Sequence, residues 1–213
     1  MKTEEIKFYK VVVFVNSLVP LALMLWDWTQ GKLGANPVEF LTRTTGMLTL
    51  VFLLISLAVT PLRKLTGVQW LIQFRRMLGL YAFFYGFLHL VTYVWFDRGF
   101  SLKGTVADVY VRPFIAVGMV SFLLLVPLAI TSTKKWIKRL GGKRWARLHK
   151  LVYAAAAGGV LHFWMLVKSD TRLPLRFAFV LAVLLGARFF FKQMKQQTPP
   201  RTLVPRPGGQ AKP

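Results

Sequence analysis

Long apolar runs separated by short polar segments make up most of this chain. Six runs are close to the roughly 20 residues that a helix needs to cross about 30 Å of hydrocarbon. They cover residues 8–26, 46–62, 77–96, 113–131, 148–167 and 174–191. The pattern predicts an all-α integral membrane protein, a six-helix transmembrane bundle.

Basic residues are concentrated in alternate loops. If the N-terminus is cytoplasmic, 21 of the 29 Lys and Arg residues fall on the inner side, and five of the seven acids fall in or beside outer loops. This distribution follows the positive-inside rule and predicts that both termini are cytoplasmic. The net charge of +22 then reflects topology, with a further role in binding anionic lipid head groups or a phosphorylated cofactor. It does not indicate binding of nucleic acid.

Short loops leave no room for a second soluble domain, so we expect one membrane domain over residues 1–195. The remaining segment, 196–213, is rich in Pro, Gly and Arg and is predicted to be a disordered cytoplasmic tail. The chain has no cysteine, which excludes disulfides and Cys-ligated iron–sulfur clusters.

The three histidines of the chain all lie in or at the edge of apolar runs. His89 lies 13 residues beyond Arg76, and His162 lies 15 beyond Arg147, which places them about 20 and 22 Å into the membrane. Two level histidines on helices that run in the same direction can offer one imidazole to each face of a haem. A single intramembrane histidine can also serve only to hydrogen-bond a neighbouring helix.

His149 precedes His162 by 13 residues on the same predicted helix, so it lies about 20 Å away along the axis, near the inner surface. It is a candidate ligand of a second, offset haem, or a solvated interface residue. Arg75 and Arg76 lie at the same height. They are either ordinary positive-inside residues or donors to a haem propionate or a flavin phosphate.

Carboxylates are missing from the depth of every span, which argues against a proton or cation pathway built on them. The chain also lacks nucleotide-binding signatures of an NAD(P)H reductase. Any electrons must therefore come from another molecule, either a membrane quinol or a separate flavin reductase.

Three segments resemble the MsrQ family, formerly YedZ, within the ferric-reductase-like transmembrane group. They are 41–63 (LTRTTGMLTLVFLLISLAVTPLR), 74–93 (FRRMLGLYAFFYGFLHLVTY) and 146–168 (ARLHKLVYAAAAGGVLHFWMLVK). The combination of RRxLGL, a mid-span His and LHKLVY…LHF is specific, and the similarity covers about residues 5–195.

The resemblance implies a multi-pass b-type cytochrome of the bacterial inner membrane, an electron-transfer subunit and not the catalytic one. Such a subunit passes electrons from the quinone pool to MsrP, a periplasmic molybdopterin enzyme that reduces methionine sulfoxide in oxidised proteins, with which it forms a heterodimer. It also implies one or two haems b, association with FMN, and haem-related histidines at His89, His149 and His162. The wider group has a further histidine 13 or 14 residues before His89, where this chain has Arg76 and Arg75, so any second haem would be ligated unusually.

Three alternatives remain at this stage. The chain could be a ferric reductase that serves a small acceptor outside. It could relay electrons from a cytoplasmic flavin reductase docked on the basic loop 134–150. It could also be a haem-free transporter or scaffold whose histidines only join helices.

Overall fold

The computed structural model describes residues 3–197, with side chains described as far as Met194. Within that range every regular element is helical, which confirms the predicted all-α architecture. Nine α-helices follow one another there: α1 Thr3–Thr29, α2 Pro37–Thr66, α3 Arg75–Thr92, α4 Leu102–Val111, α5 Pro113–Ile130, α6 Lys134–Leu140, α7 Gly142–Leu148, α8 Leu151–Leu166 and α9 Arg172–Gln197. A 3₁₀ turn, Gln69–Gln73, precedes α3, and a π-helical turn, Tyr93–Asp97, follows it.

Five segments within the described residues are long and apolar enough to cross a membrane. They are Thr3–Thr29, Pro37–Thr66, Gln69–Asp97, Pro113–Ile130 and Arg172–Met194. The predicted span 148–167 corresponds to α8, whose 16 residues rise only about 24 Å. It begins late because His149 and Lys150 form a turn after α7.

The chain is thus a multi-pass membrane protein, while the count of six spans and the cytoplasmic termini stay predictions. The predicted tail, 196–213, lies outside the described residues apart from its first two. The short helices α4, α6 and α7 lie in segments where the sequence analysis placed only loops.

The ends of α2 follow from local sequence. Asn36 precedes the helix and accepts a hydrogen bond from the Glu39 amide at 3.2 Å, while Pro37 occupies the first helical position, where no amide proton is needed. Gly67 ends the helix with a φ of 72°, a left-handed conformation that glycine adopts without strain.

The core forms around α2 and α3. The ring of Phe52 stacks on Tyr81 and Tyr85 at centroid distances of 5.5 and 5.4 Å. The two tyrosine hydroxyls donate to the carbonyls of Phe14 and Ser17 on α1, at 2.8 and 2.6 Å. Because buried hydroxyls in an apolar medium need partners, these bonds fix α1 against α3.

Helices α5 and α8 approach closely at a glycine. A Cβ added at Gly158 on α8 would clash with Ser121 Oγ on α5, so glycine is favoured there. Small residues of this kind let membrane helices pack backbone to backbone. The contact fixes the position of α8, which carries His162, relative to α5.

Candidate functional site

His89 on α3 and His162 on α8 are brought together in the structure. Their ring centroids are 6.1 Å apart and the ring planes are inclined by 77°. Both residues are partly buried. The estimate that the two histidines lie level, made from their distances to basic boundary residues, is therefore confirmed.

Each imidazole is anchored through Nδ1 to a backbone carbonyl. His89 Nδ1 lies 2.8 Å from the Thr42 oxygen, and His162 Nδ1 lies 2.6 Å from the Phe114 oxygen. Since a carbonyl only accepts, each Nδ1 must carry the proton, which leaves Nε2 of a neutral imidazole with its lone pair. Neither Nε2 has a hydrogen-bond partner within residues 3–197. Metal-binding histidines usually donate from the ring nitrogen that does not face the metal to a carbonyl or carboxylate, as both do here.

A glycine one turn after each carbonyl makes room for the ring. A Cβ at Gly46, four residues after Thr42, would lie 3.0 Å from His89 Cε1 and Nδ1. One at Gly118, four residues after Phe114, would lie 2.8 Å from His162 Nδ1. The sequence alone does not connect Gly46 or Gly118 with a histidine. The feature common to both histidines is a glycine on the helix that supplies the carbonyl, which is α2 for His89 and α5 for His162.

The spacing of the two rings fits one metal between them. Two imidazoles bound to one iron from opposite sides, at Fe–N distances of about 2 Å, have ring centres about 6 Å apart. The separation of 6.1 Å agrees with this value. The donor set, two neutral imidazoles with free Nε2 atoms, is one that holds haem iron.

His149 lies apart from this pair, in the turn between α7 and α8. Its ring stacks on Trp145 at 4.0 Å, and its Nε2 lies 3.1 Å from Thr131 Oγ1. The Thr131 hydroxyl donates its proton to the Pro127 carbonyl at 2.6 Å, so it accepts from His149. Nε2 of His149 therefore carries the proton and Nδ1 is the nitrogen with a lone pair, the opposite tautomer to the other two histidines.

Arg75 and Arg76 differ in their surroundings. Arg75 is partly buried and within electrostatic range of Arg188, Tyr153 and Arg63. His149 in turn is within electrostatic range of Arg75. Arg76 is exposed. Of these two neighbouring arginines, Arg75 is the one that acts electrostatically on His149.

Arg188 takes part in a buried arrangement that the sequence did not reveal. Its two terminal nitrogens donate to the Tyr153 hydroxyl and to the Leu57 carbonyl, both at 2.6 Å. These two bonds join α9 to α8 and α2.

A polar network lies at the other end of α3, one turn beyond His89. Asp108 on α4 is 8% exposed. It accepts a hydrogen bond from the Tyr93 hydroxyl and forms an ion pair with Arg98, and Arg112 Nε lies 3.5 Å from its other oxygen. The network ties the π-helical turn to α4.

Comparison with known proteins agrees with this architecture. The family model described as "Ferric reductase like transmembrane component" matches residues 12–160, which puts the chain in that class of membrane proteins.

Three similar proteins are each named "Protein-methionine-sulfoxide reductase heme-binding subunit MsrQ". The chain is 48% identical to the protein of Herminiimonas arsenicoxydans over 194 residues, 90% of this chain and 89% of the relative. It is 46% identical to that of Ralstonia nicotianae, with 88% of each chain covered, and 50% identical to that of Bordetella pertussis, covering 84% and 87%. The chain belongs to the MsrQ family.

Proposed function

We propose that this chain is a b-type cytochrome of the bacterial inner membrane, the electron-transfer subunit of a methionine-sulfoxide reductase system. It takes electrons from the quinone pool and delivers them to a periplasmic MsrP-type molybdopterin subunit, its partner in a heterodimer, which repairs oxidised periplasmic proteins. The observation that carries the proposal is the pair of imidazoles 6.1 Å apart, each with Nδ1 on a carbonyl and Nε2 free. The names of the relatives, as haem-binding subunits, support it.

In this proposal His89 and His162 are the residues that would hold the iron of one haem b. The carbonyls of Thr42 and Phe114 hold both rings in the tautomer that presents Nε2, and they raise the basicity of each ligand. Bound haem would supply the one-electron chemistry, while the protein sets its position and surroundings. Gly46 and Gly118 give each ring the space to sit against its carbonyl.

The position of the pair along the helices supports an outward direction of transfer. His162 lies four residues before the end of α8 at Leu166, about 6 Å along the axis. His89 lies eight residues before Asp97, the end of the π-helical turn, about 12 Å away. On the predicted topology both ends face the periplasm, so the pair is close to a partner docked on that side.

The inner region is proposed to receive the electrons. His149, through Nδ1, is a candidate ligand of a second haem. Arg75 and Arg76 are candidates to hold a haem propionate or the phosphate of FMN, and Arg75 is the better placed of the two because it lies near His149. The donor is a membrane quinol or a cytoplasmic flavin reductase docked on the basic segment formed by α6 and α7.

The test is an absorption spectrum of the purified protein, oxidised and then reduced, with haem and flavin extracted and counted per chain. We expect a b-type reduced spectrum, partial reduction by an added quinol, and reoxidation by the MsrP-type subunit with methionine sulfoxide present. A colourless protein, despite haem supply during expression, would overturn the proposal in favour of a transporter or scaffold.

A ferric reductase is the second candidate, because the matching family model carries that description. It differs from the first proposal only in its acceptor. The purified, reduced protein would then be reoxidised by chelated ferric iron as fast as by the MsrP-type subunit. Slow reoxidation by iron and fast reoxidation by the protein partner would exclude it.

A further inference from the structure

A cavity of about 190 Å³ lies between α2, α8 and α9, on the side that the charge distribution predicts to be cytoplasmic. Its lining combines two cations, two hydroxyl groups and two apolar side chains: Thr60, Pro61, Lys64, Tyr153, Arg188 and Phe191. Since a liquid water takes about 30 Å³, this space is large enough for a phosphate group.

Two of the groups that line the cavity are buried without a partner. Arg188 uses its terminal nitrogens on Tyr153 and Leu57, but its Nε has no hydrogen-bond partner within the described residues. The hydroxyl of Thr60 has none there either. Because buried polar atoms in native proteins are nearly always paired, two such atoms at one cavity point to a missing ligand.

The surroundings of the cavity are cationic. Arg188 and Lys64 line it, and Arg75 lies within electrostatic range of Arg188 and Arg63. All seven acids of the chain lie within residues 3–197. None of them forms a salt bridge there with any of these four basic residues. Cations this close repel one another in a medium of low dielectric constant, so an anion between them would stabilise the arrangement.

The depth of the cavity matches the inner head-group region. Arg188 lies 16 residues after Arg172, where α9 begins, about 24 Å into a hydrocarbon layer of about 30 Å. Lys64 lies in the last turn of α2. A second, apolar groove of about 360 Å³ runs along α8 and α9, lined by residues that include Leu161, Trp164 and Leu185.

We propose that this cavity binds the phosphate group of an anionic phospholipid from the inner leaflet. Arg188 and Lys64 provide the charge, Arg188 Nε and the Thr60 hydroxyl donate to phosphate oxygens, and the groove between α8 and α9 takes an acyl chain. Basic pockets between transmembrane helices on the cytoplasmic side are known to hold anionic lipid head groups. The site is independent of the haem assignment.

The test uses the full chain, delipidated in detergent and titrated with phosphatidylglycerol, phosphatidylcholine or inorganic phosphate, with bound lipid counted by native mass spectrometry. Lys64→Gln should weaken phosphatidylglycerol binding about fivefold, because one basic residue near the membrane surface contributes about 1 kcal/mol to the binding of an anionic lipid. Thr60→Val, which keeps the shape of the side chain and removes a hydroxyl with no protein partner, should also weaken it and leave folding intact. Lys103→Gln, on the exposed face of α4, is the matched control and should leave phosphatidylglycerol binding unchanged.

Each other outcome would overturn the proposal. Equal binding of phosphatidylcholine would remove the role of the anion. Full occupancy of the cavity by millimolar inorganic phosphate in the absence of lipid would make this a site for free phosphate. Lower haem content in Lys64→Gln, with lipid binding unchanged, would assign the cations to a cofactor.

Discussion

The outer pair, His89 and His162, and the inner histidine, His149, are named for the predicted topology, and they differ in the groups that hold each imidazole. His89 and His162 each donate from Nδ1 to a carbonyl and keep Nε2 free, and their ring centroids are 6.1 Å apart. His149 gives its Nε2 proton to Thr131, stacks on Trp145 and has Arg75 within electrostatic range. Imidazole thus occurs as one of two matched rings in the outer pair, and as a single ring beside a cationic arginine at His149.

The difference shows that histidine content alone does not define a haem site. The outer pair has the tautomer and the ring spacing that two-sided ligation would require, and a glycine leaves space beside each ring. The inner region provides positive charge and one imidazole, so any cofactor there must obtain a further ligand or rely on its anionic groups. The predictions below test this contrast.

Removal of either outer histidine should have the largest effect. His89→Ala and His162→Ala should each abolish the proposed outer haem, and the double variant should be no worse than either alone, because one missing ligand already breaks the pair. His149→Ala should leave the outer haem in place. The readout is haem per chain and the reduced absorption spectrum of each purified variant. Full haem absorbance in both outer single variants would contradict the assignment.

Substitution of the two supporting glycines should come next. In Gly118→Ala the new Cβ would lie 2.8 Å from His162 Nδ1, and in Gly46→Ala it would lie 3.0 Å from His89 Nδ1. Overpacking of this kind costs about 1–3 kcal/mol, so we expect lower haem occupancy or a shifted reduction potential, larger for Gly118→Ala.

Gly186→Ala is the control for the glycine variants, since a Cβ there meets nothing within 4 Å. Redox titration of the haem in the three variants would measure the effect. If the haem of all three behaved like that of the wild type, the space beside each imidazole would have no role.

Thr131→Val should disturb only the inner histidine. The substitution removes the acceptor for His149 Nε2, and loss of such a bond costs about 1 kcal/mol. We expect a lower unfolding midpoint and, if His149 ligates a second haem, a changed spectrum of that haem alone. A changed spectrum of the outer haem would show that the two regions are not independent.

The smallest effects are expected at the two adjacent arginines. Arg75 is partly buried and lies within electrostatic range of two further cations, Arg188 and Arg63, so Arg75→Gln should stabilise the cofactor-free protein by a few tenths of a kcal/mol, the size of effect that neighbouring like charges produce. It should also lower retention of FMN or of a second haem. Exposed Arg76→Gln should be neutral within about 0.5 kcal/mol. Thermal unfolding with and without cofactor separates the two effects, and equal behaviour of the two variants would contradict the assigned role of Arg75.

The all-helical fold and the outer pair could be predicted from sequence because both depend on distance along helices. Apolar run length gave the positions of the spanning segments, and the rise per residue gave the level of His89 and His162. The turn at His149 and Lys150, which shortens α8, was not predictable, since it lies between basic residues that fit a helix equally well. Helices α4, α6 and α7 are too short for an apolar period to stand out.

The supporting groups could not be predicted because they depend on packing between distant segments. Nothing in the sequence around Thr42 or Phe114 shows that their carbonyls receive imidazole protons from residues 47 and 48 positions later. The contacts of Arg188 could not be predicted either, because distance from the end of a span does not reveal the direction of a side chain. Contacts with Tyr153 and Leu57 decide that direction.

The spin state of the ferric haem in the wild-type protein tests the central claim most directly. Two imidazole ligands make haem iron six-coordinate and low-spin, and electron paramagnetic resonance of the oxidised protein distinguishes this from a high-spin centre. Ligation by His89 and His162 predicts one low-spin haem per chain that persists in His149→Ala. A haem that is high-spin in the wild type, or low-spin only when His149 is present, would contradict the account.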